Sequence, residues 1–390
     1  MDLTGLKTNV VGAGIGGLTG ALALARHGAD VTILEQASEI TEVGAGLQVS
    51  PNGVTVLRAL GLESQLKQIS MRAEAVELHD FAVGKLVARL DLGLSPVDTF
   101  YYFVHRADLI DLLANAVRQC GIKIRLLQHV DCILPGDFPV AHMANGAKST
   151  AQFLLGADGL HSKARSALNG AVSPFFTRQV AWRATVPNIF GHKSVARVHM
   201  GPHRHVVTYP LREGELVNIV AVQERAQWAE EGWNIQDDPD NLRKIFADFG
   251  GDVRRLLKQV ETVNRWGLFR HPVAPLWHKD NVAILGDAAH PTLPFMAQGA
   301  VMAMEDAWVL AASLIRAPNL TSGLAAYQKQ REVRVKRVVN IASKNARKYH
   351  LSVEPMRTLA HLGLRAGSIL LPRQMIGQFD WIYRHDVTTE

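Results

Sequence analysis

Cysteine is nearly absent from this chain. Only Cys120 and Cys132 occur in 390 residues, too few for a disulfide framework or a thiolate metal cluster. Long apolar runs are also missing, and none approaches the ~20 residues a helix needs to cross a bilayer. The N-terminal segment carries Lys7 as its one basic residue and lacks the charged region and cleavage site of a secretory signal. A reducing cytoplasm is therefore the expected location. There is no internal repeat, low-complexity tract or clear linker. With 47% apolar and 20% charged residues, the composition is that of a globular protein of two or three domain-sized units with ample core.

Acidic residues are outnumbered, leaving a net charge of +6. Much of the excess lies in the stretch 329–348, with Lys329, Arg331, Arg334, Lys336, Arg337, Lys344, Arg347 and Lys348. Val335, Val338, Val339, Ala342, Ala346 and Tyr349 recur there at helical spacing. The stretch reads as a packed amphipathic helix with a solvated basic face, whose field could at most draw in anionic ligands. Neither a nucleic acid nor a membrane is an expected partner.

The first sixty residues alternate strand and helix patterns: a strand at Asn9–Val11, an alanine-rich helix over Ile15–His27, a strand at Val31–Leu34 and a helix over Val54–Leu60. A further helix is expected over Ala107–Gln119, with a strand at Ile122–Leu127. The segment Asp131–Thr150 fits neither pattern. The middle holds short alternating stretches, Val180–Val186, Val195–Met200, Val206–Tyr209 and Leu216–Gln223, the signature of an antiparallel sheet. Helical patterns return at Asn241–Phe249 and Val253–Val260. A buried strand, Val282–Leu285, then leads through a glycine turn into a long helix over Gly299–Ile315. The expected class is α/β (α+β), a Rossmann-like nucleotide-binding domain interleaved with an antiparallel-sheet substrate domain, plus C-terminal helices. The nucleotide-binding portion is expected over 1–75, 104–175 and 275–320, the substrate portion over 76–103 and 176–274, and the helical region over 321–390.

Gly12-Ala13-Gly14-Ile15-Gly16-Gly17 follows a strand and opens a helix. Its first glycine permits a tight turn, the second lets backbone approach a pyrophosphate, and the third lets helix and strand pack closely. Glu35, at the end of the next strand and followed by Gln36, is placed to hold a ribose hydroxyl. The motif alone does not separate NAD from FAD.

In the stretch His203–Pro210, strand alternation puts His203, His205, Val207 and Tyr209 on one face. Imidazoles and a phenol make a poor core surface unless partnered, but they suit the wall of a polar binding pocket. Trp182 and Arg183, in an earlier strand, could line the same region and are taken by default as packing and sheet-surface residues.

Gly286-Asp287-Ala288-Ala289-His290-Pro291, with Pro294 and Gln298-Gly299-Ala300, resembles the second FAD motif of the flavoprotein aromatic hydroxylases. Gly156-Ala157-Asp158-Gly159, with Ser162 and Arg165, resembles their third. Gly44-Ala45-Gly46, Pro51-Asn52-Gly53 and His105-Arg106-Ala107-Asp108-Leu109 fit as well. In this order and over most of the chain, the motifs are similar to the salicylate hydroxylase, 3-hydroxybenzoate 6-hydroxylase and 6-hydroxynicotinate 3-monooxygenase group of class A flavoprotein monooxygenases.

The resemblance implies FAD as cofactor and NADH or NADPH as a transient donor. The stretch after Glu35 has no arginine for a 2′-phosphate, which leans toward NADH. Besides Gly12, Gly14, Ile15, Gly16, Gly17, Glu35 and Gln36, it implies FAD contacts from Gly46, Gln48, Arg106, Val130, Asp158, Asp287, Pro294, Gly299 and Ala300. It also implies catalytic roles for His205, Tyr209 and Gln298, and hydroxylation of a small phenolic aromatic acid with O2 through a flavin C4a-hydroperoxide. Two departures stand out: Gln48 replaces a histidine of some relatives, and no arginine is evident as a clamp for a substrate carboxylate. A dehydrogenase or reductase of the same fold without oxygen insertion is the alternative, and a homodimer is a further expectation. No metal site is expected.

Overall fold

The computed structural model describes residues 1–40, 45–95, 98, 100–227 and 235–389. Gly44, quoted above, lies outside them. The first sheet has six strands in the order His278–Lys279, Val282–Ile284, Phe153–Gly156, Lys7–Val11, Asp30–Leu34 and Lys123–Arg125. All neighbours are parallel except the His278–Lys279 edge. Its central strands are buried along nearly their whole length because both faces are covered, which explains runs such as Phe153-Leu154-Leu155. Helices Ile15–Ala25, Arg106–Gln119 and Gly299–Arg316 pack into the same core. The strand Val282–Ile284 pairs in register with Phe153–Gly156, so the chain returns to its first sheet after building the second.

The segment 131–150, unassigned from sequence, forms three antiparallel strands, Val130–Leu134, Val140–Met143 and Lys148–Thr150. A register shift between His142 and Met143 interrupts the alternation, and several residues face solvent, so period two is masked.

The second sheet has eight strands in the order Ile235–Asp237, Val263–Arg270, Phe175–Pro187, Leu216–Glu224, Arg204–Leu211, Val195–Gly201, Ala75–Asp80 and Leu86–Asp91. It is antiparallel except where Val195–Gly201 meets Ala75–Asp80. Along Arg204–Leu211, Val206 joins the core containing Leu242, Val253 and Leu256 of two short helices. His205, Val207 and Tyr209 line a cavity on the opposite side, as a pleated strand requires. His203 does not share that face. It sits in the preceding turn at φ 58, where the alternation has not yet begun.

The basic stretch lies within one helix, Leu320–Tyr349, but its basic face is not wholly solvated. Arg331 is 1% exposed and holds two acids of the helix Gly299–Arg316: Nη2 lies 2.6 Å from Glu305 and Nε 2.7 Å from Asp306. Arg334 adds two bonds to Glu305, at 2.8 and 3.0 Å. Burial of Glu305 and Asp306 opposes ionisation. The arginines, with His290 for Asp306, outweigh it and hold both carboxyls near a pKa of about 2.

Because these folded pKa values lie below the unfolded ~4, their stabilisation is complete above about pH 5 and is lost as pH falls toward 2. Arg331→Met should destabilise the protein at neutral pH by roughly 3–5 kcal/mol, since it removes the cation shared by two buried acids and leaves Glu305 with Arg334 and Asp306 with His290. The difference in Tm between wild type and variant should narrow between pH 5 and pH 3; a constant gap over that range would contradict the electrostatic account.

Candidate active site

The strand Lys7–Val11 ends at Gly12, whose φ is +98. A Cβ there would stand 2.6 Å from the Ala157 carbonyl oxygen, so only glycine lets the ends of two adjacent strands approach this closely. Gly14 caps the helix Ile15–Ala25 without a side-chain bond, and the first turn carries no acid. The first N–H groups of that helix therefore lack a side-chain cap. A Cβ on Gly14 would meet nothing within 4 Å.

A cavity of about 590 Å³ opens here, lined by Gly12, Gly14, Glu35, Gln36, Arg106, Val130, Asp158 and Asp287 among others. Ile15, Gly16 and Gly17 form the first helical turn behind it rather than its wall. Glu35 accepts from the Ala13 amide at 2.6 Å and the Ala37 amide at 2.8 Å. Asp158 accepts from the Ser162 hydroxyl at 2.5 Å and the Lys163 and Ala164 amides at 2.7 and 3.1 Å, which starts the helix Lys163–Asn169. Arg165 donates to the carbonyls of Ala288, Ala289 and Pro272, tying the third motif to the second. Asp287 is open toward the cavity. The surrounding protein raises its carboxyl pKa, against the pull of His290 and Arg106.

A second cavity of about 460 Å³ lies under the eight-stranded sheet. Gly46, Gln48, His205, Tyr209 and Pro294 line it, with Tyr101, Asn345 and Tyr349 among its other polar groups and leucines, valines and methionines forming much of the wall. Its far side is built by the C-terminal helices Met356–Leu370, Pro372–Gly377 and Asp380–Tyr383. Gly46 has a packing reason of its own: a Cβ would stand 2.5 Å from the Tyr209 ring. That ring stacks on Phe103 at 5.0 Å. Burial raises the Tyr209 pKa, so its hydroxyl remains a donor. Gln48 accepts from the Tyr101 hydroxyl at 2.7 Å. Burial, then His350, lowers the His205 pKa well below its usual value, so the ring rests neutral.

Arg183 lines both cavities, with its guanidinium 4.6 Å from the Trp266 ring centroid. Of the two neighbours expected either to line this region or to pack on the sheet, Arg183 reaches the cavities, while Trp182 is buried on the opposite face of the strand.

Gln298 is not brought to either wall. It is 1% exposed; Nε2 donates to Ser50 at 2.9 Å and Oε1 accepts from Asn52 at 3.1 Å. Gly299 and Ala300 begin the helix behind Gln298 and also line neither cavity.

Residues 6–342 match the FAD binding domain family. The chain belongs to that family. FAD is the cofactor such a fold holds, and the residues fit it: an uncapped helix start, an open Gly14 and a cavity extending past Glu35 to Asp287.

The chain is 32% identical to 3-amino-4-hydroxybenzoate 2-monooxygenase PtnB3 of Streptomyces platensis, over 96% of this chain and 94% of the relative. It is likewise 32% identical to a 3-hydroxybenzoate 6-hydroxylase of Polaromonas naphthalenivorans, over 98% and 96%. A salicylate hydroxylase substrate complex shares the fold at a TM-score of 0.82 and 24% identity, over 99% and 97%. The family relatives are thus aromatic monooxygenases. Among the described residues, no helix is long and apolar enough to cross a membrane.

Gly14→Leu should project into the first cavity without disturbing backbone. Flavin-fluorescence titration is expected to show FAD affinity reduced by at least about 100-fold, ~2.7 kcal/mol, with the apoprotein's circular dichroism unchanged. Wild-type affinity would exclude the helix start as the pyrophosphate site.

Proposed function

We propose that this flavoprotein is a monooxygenase that uses NAD(P)H and O2 to hydroxylate a small phenolic aromatic compound. The observation that carries the reading is the buried pair His205 and Tyr209 on one wall of a cavity that meets the cofactor cavity at Arg183. When bound, FAD supplies the redox chemistry, accepting electrons from the nicotinamide donor and activating O2 for insertion into the ring.

The chain's own residues then have distinct tasks. The helix start at Gly14 holds the pyrophosphate, and Glu35 retains lone pairs for a ribose hydroxyl after its two backbone bonds. Asp287 and Arg106, on the wall of the first cavity, and Gly46, Gln48 and Pro294, on the wall of the second, would hold the cofactor from either side. Tyr209 donates its hydroxyl to orient the substrate. His205 is the base: its Nδ1 is committed to His350 at 2.6 Å, leaving Nε2 for a phenol in the cavity. Removing the phenolic proton enriches the ring in electrons and favours attack on an electrophilic oxygen. Enclosure under the C-terminal helices limits water at the reacting centre. Gln298 acts at one remove, by fixing Ser50 and Asn52. For a substrate acid group, Arg183 and Lys348 are basic residues on the wall, and NADH is the favoured donor because Gln36, Ala37, Ser38 and Glu39 offer no arginine.

With 3-hydroxybenzoate and 3-amino-4-hydroxybenzoate as probes, O2 uptake should match hydroxylated product mole for mole. His205→Ala should retain FAD and lower hydroxylation by about 10²–10⁴-fold. Wild-type turnover in that variant would remove His205 from the chemistry. Donor oxidation yielding peroxide alone with every phenol tried would favour a reductase.

A further inference from the structure

Behind His205 runs a connected line of polar side chains that ends at the protein surface. His205 Nδ1 lies 2.6 Å from His350 Nε2. His350 Nδ1 lies 2.9 Å from Glu224 Oε1, and Glu224 Oε2 lies 2.8 Å from His203 Nδ1. His205 and His350 are 1% and 3% exposed. Glu224 and His203 are open to water at 37% and 61% of their side chains. We propose that His350 and Glu224, with His203 holding the carboxylate in place, form a proton path that connects His205, and through it the second cavity, to solvent.

The backbone builds this line rigidly. His350 is the C-terminal cap of the helix Leu320–Tyr349, and its carbonyl accepts from the His203 amide at 3.3 Å. The Glu224 amide donates to the His203 carbonyl at 2.9 Å. One turn, one strand end and one helix end are thus locked together around the three side chains. Phe295 and Tyr349 pack their rings 5.2 and 5.4 Å from that of His205. Burial raises the Tyr349 pKa to about 12, so that phenol keeps its proton and offers no competing exit. The other ionisable groups on the cavity wall, Lys348, His361, Arg183 and the remaining tyrosines, make no hydrogen bond to His205 or His350 among those described.

The line also has a direction. An ionised carboxylate can only accept, so Glu224 fixes a proton on His350 Nδ1 and leaves His350 Nε2 as an acceptor. That in turn fixes a proton on His205 Nδ1 and leaves His205 Nε2 bare, the state a base in the cavity needs. Burial disfavours charge on His205, so a proton taken there is best passed on.

The transfer balances. The phenol O–H bond breaks as an N–H bond forms at His205 Nε2. The Nδ1 proton of His205 moves to His350 Nε2, the Nδ1 proton of His350 moves to Glu224 Oε1, and Glu224, which is open to water, releases a proton to solvent while Oε2 keeps the bond from His203. Both rings are left as Nε2–H tautomers, and the same path run inward resets them when product takes a proton back.

This rests on the reading of His205 as the base, and the test separates the two. The probe is 4-nitrophenol, whose phenolate is yellow, mixed in stopped flow with FAD-loaded enzyme at a pH where the free probe is protonated. Wild type should develop phenolate in a phase slowed about 2–3-fold in D2O. Glu224→Gln, which keeps shape but loses the fixed acceptor, should slow that phase at least about tenfold while the probe's Kd stays within about threefold. His350→Ala should do the same, and added imidazole should restore the rate.

Wild-type phases in both variants, with loss in His205→Ala, would overturn the path and leave the base standing. A wild-type phase in His205→Ala would overturn both. If His350→Ala fails to retain FAD, Glu224→Gln carries the decision alone.

Discussion

The arrangement of both cavities depends on two adjacent acids buried inside an apolar helix. Glu305 and Asp306 are fully enclosed, and each reaches a different part of the site. Asp306 accepts from the Gly286 amide at 3.1 Å and lies 2.5 Å from His290 Nε2, which fixes the turn that presents Asp287. Glu305 accepts from Asn52 at 2.7 Å, and Asn52 in turn engages Gln298. Arg331 bridges the two acids. Arg334 extends the set to the carbonyls of Trp381 and Ile382 at 2.8 and 3.2 Å, one residue before Tyr383 on the second cavity's wall. Buried ion networks of this kind are weak evidence for stability in themselves, but breaking one is costly. Their effect here is geometric, because a single set of bonds orients the turn that presents Asp287, the residues around Gln298 and the C-terminal cover.

Burial of polar groups recurs as the theme of the second cavity, with a different outcome. The acids above are compensated by arginines and stay charged. His205 has another imidazole as its neighbour and stays neutral. The contrast follows from the partner: a cation beside a buried carboxylate outweighs the desolvation penalty, whereas a second base beside a buried histidine adds to it. One environment gives a permanent scaffold and the other a group able to accept a proton.

Much of the fold was legible because its strands and helices announce themselves by period. The glycine turn at Gly12–Gly17, the alternation from Val206 to Tyr209 and the apolar strand at Val282 all rest on neighbours in sequence. The strands of 130–150 were not legible, since a bulge and solvent exposure remove the alternation that identifies a strand. Long-range partners were the other blind spot. Arg331 and Arg334 look like any residues of a basic helix until a second helix brings acids against them. The one local signal was Glu305-Asp306 within Val301–Leu314, where a charge pair in an otherwise buried stretch demands a partner. The partners of Gln298 were equally hidden: its two polar ends are engaged by Ser50 and Asn52, 248 and 246 positions away in the chain.

The turn residue His203 shows how a wrong parity can still leave a residue relevant. Alternation extended one step too far put it in the cavity beside His205. Its left-handed conformation turns it to solvent instead, where it meets Glu224. Glu224 belongs to the strand paired with that of His205, with Arg204 opposite Gln223 and His205 opposite Val222. The register therefore brings the strand's end level with the turn, and the helix cap at His350 fills the space between them. Burying a neutral base deep in a sheet would ordinarily isolate it from the water that must finally take its proton. Because the strand end, the turn and the helix end converge at one point, the proposed base faces the cavity on one side and is connected to solvent on the other.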